Sequence, residues 1–230
     1  MIGPMLRVLI VALVLLVAVM FAIPRPDRAP AGAASPPAGA HAAIATENAT
    51  VLDPPLRVPE IALTDVHGQP FTKASLEGRF SLMFFGFTNC PDVCPITLQV
   101  LASAVDRIEA EAPEAVPSVV FVSVDPFRDT PERIRAYLSG FDPSFEGVTG
   151  PDEALEPLLE ALGVNVEKHE HHGEQYNVVH SGVVFFVGPR AEVIAVSSPP
   201  NTPAAIASDF LAIQSAYLER EASAGQAAAR

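Results

Sequence analysis

The stretch Phe80–Val100, F-S-L-M-F-F-G-F-T-N-C-P-D-V-C-P-I-T-L-Q-V, changes its periodicity halfway along. Phe80 to Phe87 is mostly apolar and bounded by polar residues, which suits a strand buried on both faces. From Pro95 to Glu111 the apolar residues Ile96, Leu98, Val100, Leu101, Val105 and Ile108 form a helical stripe. A strand therefore ends, a turn follows, and a helix begins near Cys94. Cys90 and Cys94 lie at or just before that helix N-terminus, where unpaired backbone N–H groups and the positive end of the helix dipole stabilise an anion. Such a setting raises the thiolate fraction, and thiolates bind soft metal ions.

The four-residue spacing carries further information. Positions i and i+4 share a helix face with Cβ atoms about 5–6 Å apart, whereas a disulfide wants them about 3.5–4.5 Å apart. The pair can chelate one metal ion easily and can close a disulfide with local backbone adjustment. These are the only two cysteines of the 230 residues, too few and too close for a disulfide-scaffolded domain.

Strands and helices alternate on either side. Ile61–Leu63 and Phe71 read as an edge hairpin around His67-Gly68-Gln69-Pro70. Ser118–Val124 is a second buried strand. Asp129-Thr130-Pro131-Glu132 reads as a helix start, with Asp129 as cap, Pro131 in the first turn and Glu132 closing a capping box. Asp152–Leu162 is a shorter helix stopped at Gly163. Val183–Val187 and Val193–Val196 bracket a Gly188-Pro189-Arg190 turn, and Thr202–Tyr217 is a closing helix. Two buried strands joined by a helix imply a right-handed parallel crossover, and the final hairpin adds antiparallel strands. The expected fold is α/β and thioredoxin-like, with a mixed central sheet flanked by helices.

Two sulfurs leave soft-metal coordination incomplete. His180 is expected to begin the strand beside the cysteine loop, where ordinary thioredoxin folds place a cis-proline. No proline lies between Pro157 and Pro189, and a histidine is offered instead. Two thiolates and one imidazole suit copper, as three-coordinate Cu(I) or as Cu(II) with another ligand.

Val8–Ile23 is an unbroken apolar run. A span needs about 20 apolar residues, which the run reaches if Met5 and Leu6 take part, and a signal-peptide core is usually about 7–15. Residues 1–23 are therefore expected to be a retained N-terminal membrane anchor. Residues 24–51, rich in Ala, Pro and Gly, are expected to be a tether. The globular domain is expected over 52–218, and the Ala-rich 219–230 as a disordered tail. A net charge of −13 with no basic cluster excludes nucleic-acid binding.

These residues resemble the Sco/SenC family of copper-binding proteins that help assemble cytochrome c oxidase. The resemblance rests on F-G-F-T-N-C-P-D-V-C-P at Phe85–Pro95, S-V-D-P-F-R-D-T-P-E at Ser123–Glu132, His180-Ser181, and the H-G-x-P-F hairpin at His67–Phe71. It implies a single anchor and one copper per monomer held by Cys90, Cys94 and His180. It also implies delivery to the dinuclear copper centre of oxidase subunit II, or reduction of that centre's cysteines. Other copper chaperones or thiol reductants are implied partners, and a bacterial inner membrane with the domain in the periplasm is the implied location. Two positions depart from the family: Val179 stands where it commonly has Asp before the ligand histidine, and Phe127 where it often has an acidic residue.

Other residues carry weaker signals. Asp125, Arg128 and Asp129 either face the metal site or, the preferred reading, cap a helix and fix a loop. Asp92 lies between the cysteines and either contacts a partner or copper or is there through solvent exposure alone. His169, His171 and His172 form either an auxiliary metal site or a polar hairpin loop. A metallochaperone without turnover is the leading function. A thiol-disulfide oxidoreductase is the alternative, a peroxiredoxin-like peroxidase is a third, and zinc is disfavoured because structural zinc takes four protein ligands.

Overall fold

A computed structural model describes residues 44–170, 176–179 and 182–228, with side chains described for 44–166 and 182–227. In chain order the strands are β1 (Ala49–Arg57), β2 (Ala62–Asp65), β3 (Pro70–Thr72), β4 (Ser81–Gly86), β5 (Ser118–Ser123), β6 (Glu146–Thr149), β7 (Glu167–Glu170), β8 (Tyr176–Val179), β9 (Val184–Gly188) and β10 (Glu192–Ser197). The helices are α1 (Val93–Glu111), α2 (Pro131–Leu138), α3 (Asp152–Ala161) and α4 (Pro203–Ala228). Eight strands form one mixed sheet in the order β1-β10-β9-β4-β5-β6-β2-β3, and β7 and β8 pair separately.

The apolar run of the central segment becomes β4, and all six of its residues are buried. It pairs in parallel with β5, in register from Ser81↔Ser118 to Gly86↔Ser123, with α1 as the crossover. On its other side it runs antiparallel to β9, with Phe84 opposite Val184. The C-terminal end of β4 and the N-terminal end of β9 therefore meet at one end of the strands, in the middle of the sheet, from which the cysteine loop leaves. Phe84, Phe85, Phe121 and Phe186 fill the layers around β4 and are fully buried. Burying each contributes about 1.5–3 kcal/mol, so the loop stands on a rigid base.

The α/β alternation, the mixed sheet and the final hairpin follow the sequence pattern. Several details differ from it. The folded strand order starts at Ala49, upstream of the expected boundary at Leu52. The backbone N–H groups of Glu47, Asn48 and Ala49 all donate to the buried Asp209 carboxylate on α4, at 2.5, 2.9 and 2.7 Å. β1 is an edge strand with an irregular register between Val51 and Leu56, which is where its Pro54 and Pro55 are tolerated and why no alternation marks it. β6 is short and contains Gly147, whose missing side chain lets α2 approach: a Cβ there would lie 2.4 Å from a methyl of Ile134. The segment expected to be a disordered tail is helical through Ala228. Alanine's helix propensity extends α4 there, and Arg190 pairs with Glu221 at 3.1 Å.

The expected anchor (1–23) and most of the tether lie outside the described residues. Among the described residues, no helix is long and apolar enough to cross a membrane.

Candidate metal centre

Cys90 and Cys94 are brought together at the start of α1, and both are free thiols. A turn closed by the Cys90 N–H on the Phe87 carbonyl (3.2 Å) reverses the chain after β4. Helix α1 begins one residue before Cys94, and the Cys94 N–H donates to the Cys90 sulfur at 3.4 Å. The helix N-terminus thus directs a donor at the more accessible sulfur. Cys90 is half-buried, whereas Cys94 is completely buried.

The Cys94 sulfur occupies a place that exists because residue 86 has no side chain. A Cβ on Gly86 would lie 2.9 Å from that sulfur, 2.8 Å from Cε2 of Phe121 and 3.2 Å from Cε1 of Phe84. Burial pushes the Cys94 thiol well above the ordinary cysteine range. A hydrogen bond with the Phe87 backbone pulls it down less strongly, and Cys90 and Asp129 add to the rise. At this cysteine, desolvation outweighs the helix-terminus effect expected from the sequence.

The loop before Cys90 is fixed from α2 and from the end of β5. Asp129 was expected as the cap of α2. Instead it is fully buried and points inward, accepting from Thr88 N (2.9 Å), Thr88 Oγ1 (2.5 Å) and Ser123 Oγ (2.7 Å). Thr130 caps α2, its hydroxyl accepting from Arg133 N at 3.3 Å. The reason is geometric: a carboxylate in the loop between β5 and α2, opposite two hydroxyls and an amide, is satisfied there three times over. Arg133 reaches across to Thr88 Oγ1 (2.9 Å) and to Asn89 Oδ1. Arg128 pairs with the buried Asp125 and lies 5.8 Å over the Phe87 ring. The loop-fixing reading of Asp125, Arg128 and Asp129 is therefore the one the contacts bear out.

His180 lies outside the described residues. Its surroundings do not. β9 begins at Val184 rather than at His180, and Gly182 precedes it as a buried residue. A Cβ on Gly182 would lie 2.9 Å from a Val93 methyl, 2.9 Å from Cγ of Pro199 and 3.7 Å from Thr97 Oγ1. Val93 and Thr97 flank Cys94 on the first turn of α1. The chain two residues past His180 therefore touches the cysteine helix. Sequence reasoning missed Gly86 and Gly182; a glycine inside an apolar run and another just after a suspected ligand were the available signals of close approach.

Asp92 is exposed and its side chain makes no cap hydrogen bond. Phe127 is 73% exposed. The backbone of 167–170 pairs with 176–179, Glu167 opposite Val179 and His169 opposite Asn177, as expected of a hairpin. His171, His172 and the side chain of His169 lie outside the described residues. Among the described residues, no three His, Cys, Asp or Glu side chains group to hold a metal.

A family model described as SCO1/SenC matches residues 53–214. A putative copper-binding protein of Stutzerimonas stutzeri is 41% identical over 133 residues, covering 57% of this chain and 64% of that protein, less than two thirds of its length. The structure of Arabidopsis thaliana ScoI with copper bound is similar at a TM-score of 0.64 and 30% identity, covering 68% of this chain and 98% of that one. The solution structure of apo Sco1 from Thermus thermophilus is similar at 0.66 and 34% identity, covering 75% and 99%. With its strand order, its paired cysteines and these matches, the chain belongs to the SCO1/SenC family.

Proposed function

We propose that this protein carries copper on Cys90, Cys94 and His180 and delivers it to the dinuclear copper centre of cytochrome c oxidase subunit II during assembly. The observation that carries the reading is the packing of Gly182 on Val93 at the mouth of α1. Two residues span at most about 7 Å, which supports assigning the third ligand to the imidazole at position 180. Two thiols and an imidazole are a donor set for copper rather than for a hard cation. The cradle left by Gly86 gives the buried sulfur a fixed position, and Asp129 and Arg133 fix the loop that carries the other. The family membership supports both the cargo and the oxidase as recipient.

The rest of the chain fits that task. The apolar run Val8–Ile23 serves as an anchor in a bacterial inner membrane, and the Ala/Pro-rich tether lets the domain range over the periplasmic face. Competition titration of the reduced chain from residue 44 onward with a chromophoric Cu(I) chelator tests the reading. One copper per chain is expected, lost on Cys90→Ala or Cys94→Ala. Unchanged stoichiometry in either variant contradicts it.

One observation favours a second role. A half-exposed Cys90 in contact with a buried Cys94 is the arrangement of an attacking and a resolving thiol. Cys90 as thiolate attacks a disulfide of the target and forms a mixed disulfide. Cys94 then attacks Cys90, releasing the reduced target and leaving Cys90 and Cys94 joined. Incubating the reduced metal-free domain with an oxidised dithiol peptide and counting free thiols separates this role from copper transfer.

A further inference from the structure

Gly182 precedes β9, whose ladder begins at Val184, so its carbonyl must find a partner outside the sheet. Asn201 supplies one: its Nδ2 donates to the Gly182 oxygen at 3.5 Å. Which way that amide faces is set by its other end. Oδ1 of Asn201 accepts from the hydroxyl of the fully buried Ser197 at 2.7 Å and from Nδ2 of Asn48 at 2.9 Å, which turns its nitrogen towards Gly182. Asn48 also donates to the Ser198 carbonyl at 2.9 Å, and the Thr202 hydroxyl accepts from Ala205 N at 3.1 Å at the start of α4. The loop 198–202 is therefore tied down at both ends, and Ser197 keeps the Asn201 amide oriented even where Asn48 shifts.

That loop stands at the cysteine end of the sheet. Ala49 pairs with Ser197, Ser197 with Val184, and Val184 with Phe84, one row across four strands that ends two residues before Gly86. Gly182 is gripped there from two sides. A Cβ on it would lie 2.9 Å from Cγ of Pro199 in the loop and 2.9 Å from a methyl of Val93 on the first turn of α1. The loop thus acts on one residue twice, through the Pro199 ring and through the Asn201 amide. Strand pairing begins four residues past His180, and the Asn201 bond extends the fixed backbone to within two residues of it.

We propose that Asn201 is a positioning residue for the copper site, acting through Gly182 on the placement of His180. This rests on His180 being the third ligand. Among the described residues Asn201 bonds Ser197, Asn48 and Gly182 and neither cysteine, so its loss bears on the imidazole and leaves the two sulfurs as they are.

Asn201→Asp tests this with little change of shape. The aspartate keeps both acceptor bonds and sets a second oxygen, in place of the donor, against the Gly182 carbonyl. A double-mutant cycle with His180→Ala separates positioning from general damage. Cu(I) affinity of the reduced full-length protein is read by competition with a chromophoric chelator. Asn201→Asp lowers it about tenfold when His180 is present, the scale on which residues that orient metal ligands act. In the His180→Ala background the same change alters affinity by less than about twofold. Equal losses in both backgrounds, or no loss in either, overturn the positioning role and leave the copper reading intact. If His180→Ala binds Cu(I) as tightly as the wild type, the third-ligand assignment falls and the proposal with it.

Discussion

Gly86→Ala places one methyl group where the structure has no room for it. The added carbon lies 2.9 Å from the Cys94 sulfur, 2.8 Å from Phe121 and 3.2 Å from Phe84, three contacts well inside ordinary van der Waals separation. Both phenylalanines are completely buried, so neither ring can swing into solvent. Overpacking of this kind costs about 1–3 kcal/mol, and replacing glycine by alanine within a strand returns about 0.5–1 kcal/mol of backbone entropy. The net loss is about 1–2 kcal/mol, or a fall in melting temperature of roughly 2–8 °C for a domain of this size. The softest of the three neighbours is the sulfur, which turns about its single rotatable bond. The strain therefore relaxes at the metal site, and Cu(I) affinity falls at least about tenfold. Thermal denaturation of the metal-free protein and chelator competition of the loaded one give the two numbers. Gly225→Ala, with open space at its Cβ position on α4, is the control and raises stability by about 0.5–1 kcal/mol. A Gly86→Ala protein with wild-type melting temperature and wild-type copper affinity refutes the cradle.

The remaining expectations concern acidity and the supports of the loop. Because burial holds the Cys94 thiol above its ordinary range, copper must displace its proton. Apparent Cu(I) affinity then rises with pH by about one decade per unit for each proton released, and titration calorimetry in buffers of different ionisation enthalpy counts those protons. The same shift makes the folded metal-free protein hold a proton that the unfolded chain gives up. Its stability is full below the unfolded thiol's pKa of about 8.5 and falls as pH rises beyond it, which urea denaturation between pH 7 and pH 10 reads out. Asp129→Ala strands Thr88 and Ser123, lowers stability by about 2–4 kcal/mol, and weakens copper binding by loosening the loop before Cys90. Asp209→Ala frees the three N–H groups of residues 47–49. It exposes the start of β1 to proteolysis and leaves copper affinity within about twofold, since among the described residues the hydrogen bonds of Asp209 go to the backbone of residues 47–49 and none to the cysteine loop.

How much of this was legible beforehand follows from where the information sits. The switch from a buried strand to an amphipathic helix between Phe80 and Val100 is local, and it fixed β4, α1 and the placing of both cysteines at a helix mouth. β9 and β10 were equally plain because two valine-rich runs flank a Gly-Pro turn. β1 and β6 were not legible. One is an edge strand with two prolines, the other four residues around Gly147, and tertiary pairing rather than residue preference makes each a strand. Asp129 shows the same limit at the site. In the sequence it stands where a cap belongs, and only the approach of Thr88, 41 positions away, gives its carboxylate a better use. The thiol of Cys94 was expected to be made more acidic by the helix terminus. How deeply a side chain is buried is a property of the packed layers, and here it reverses the sign.

The copper centre itself depends on the imidazole at position 180. Copper X-ray absorption of the Cu(I)-loaded wild type beside His180→Ala tests it most directly. The account requires two sulfur scatterers and one nitrogen in the wild type, and loss of the nitrogen with both sulfurs retained in the variant. An identical coordination shell in the two proteins contradicts it.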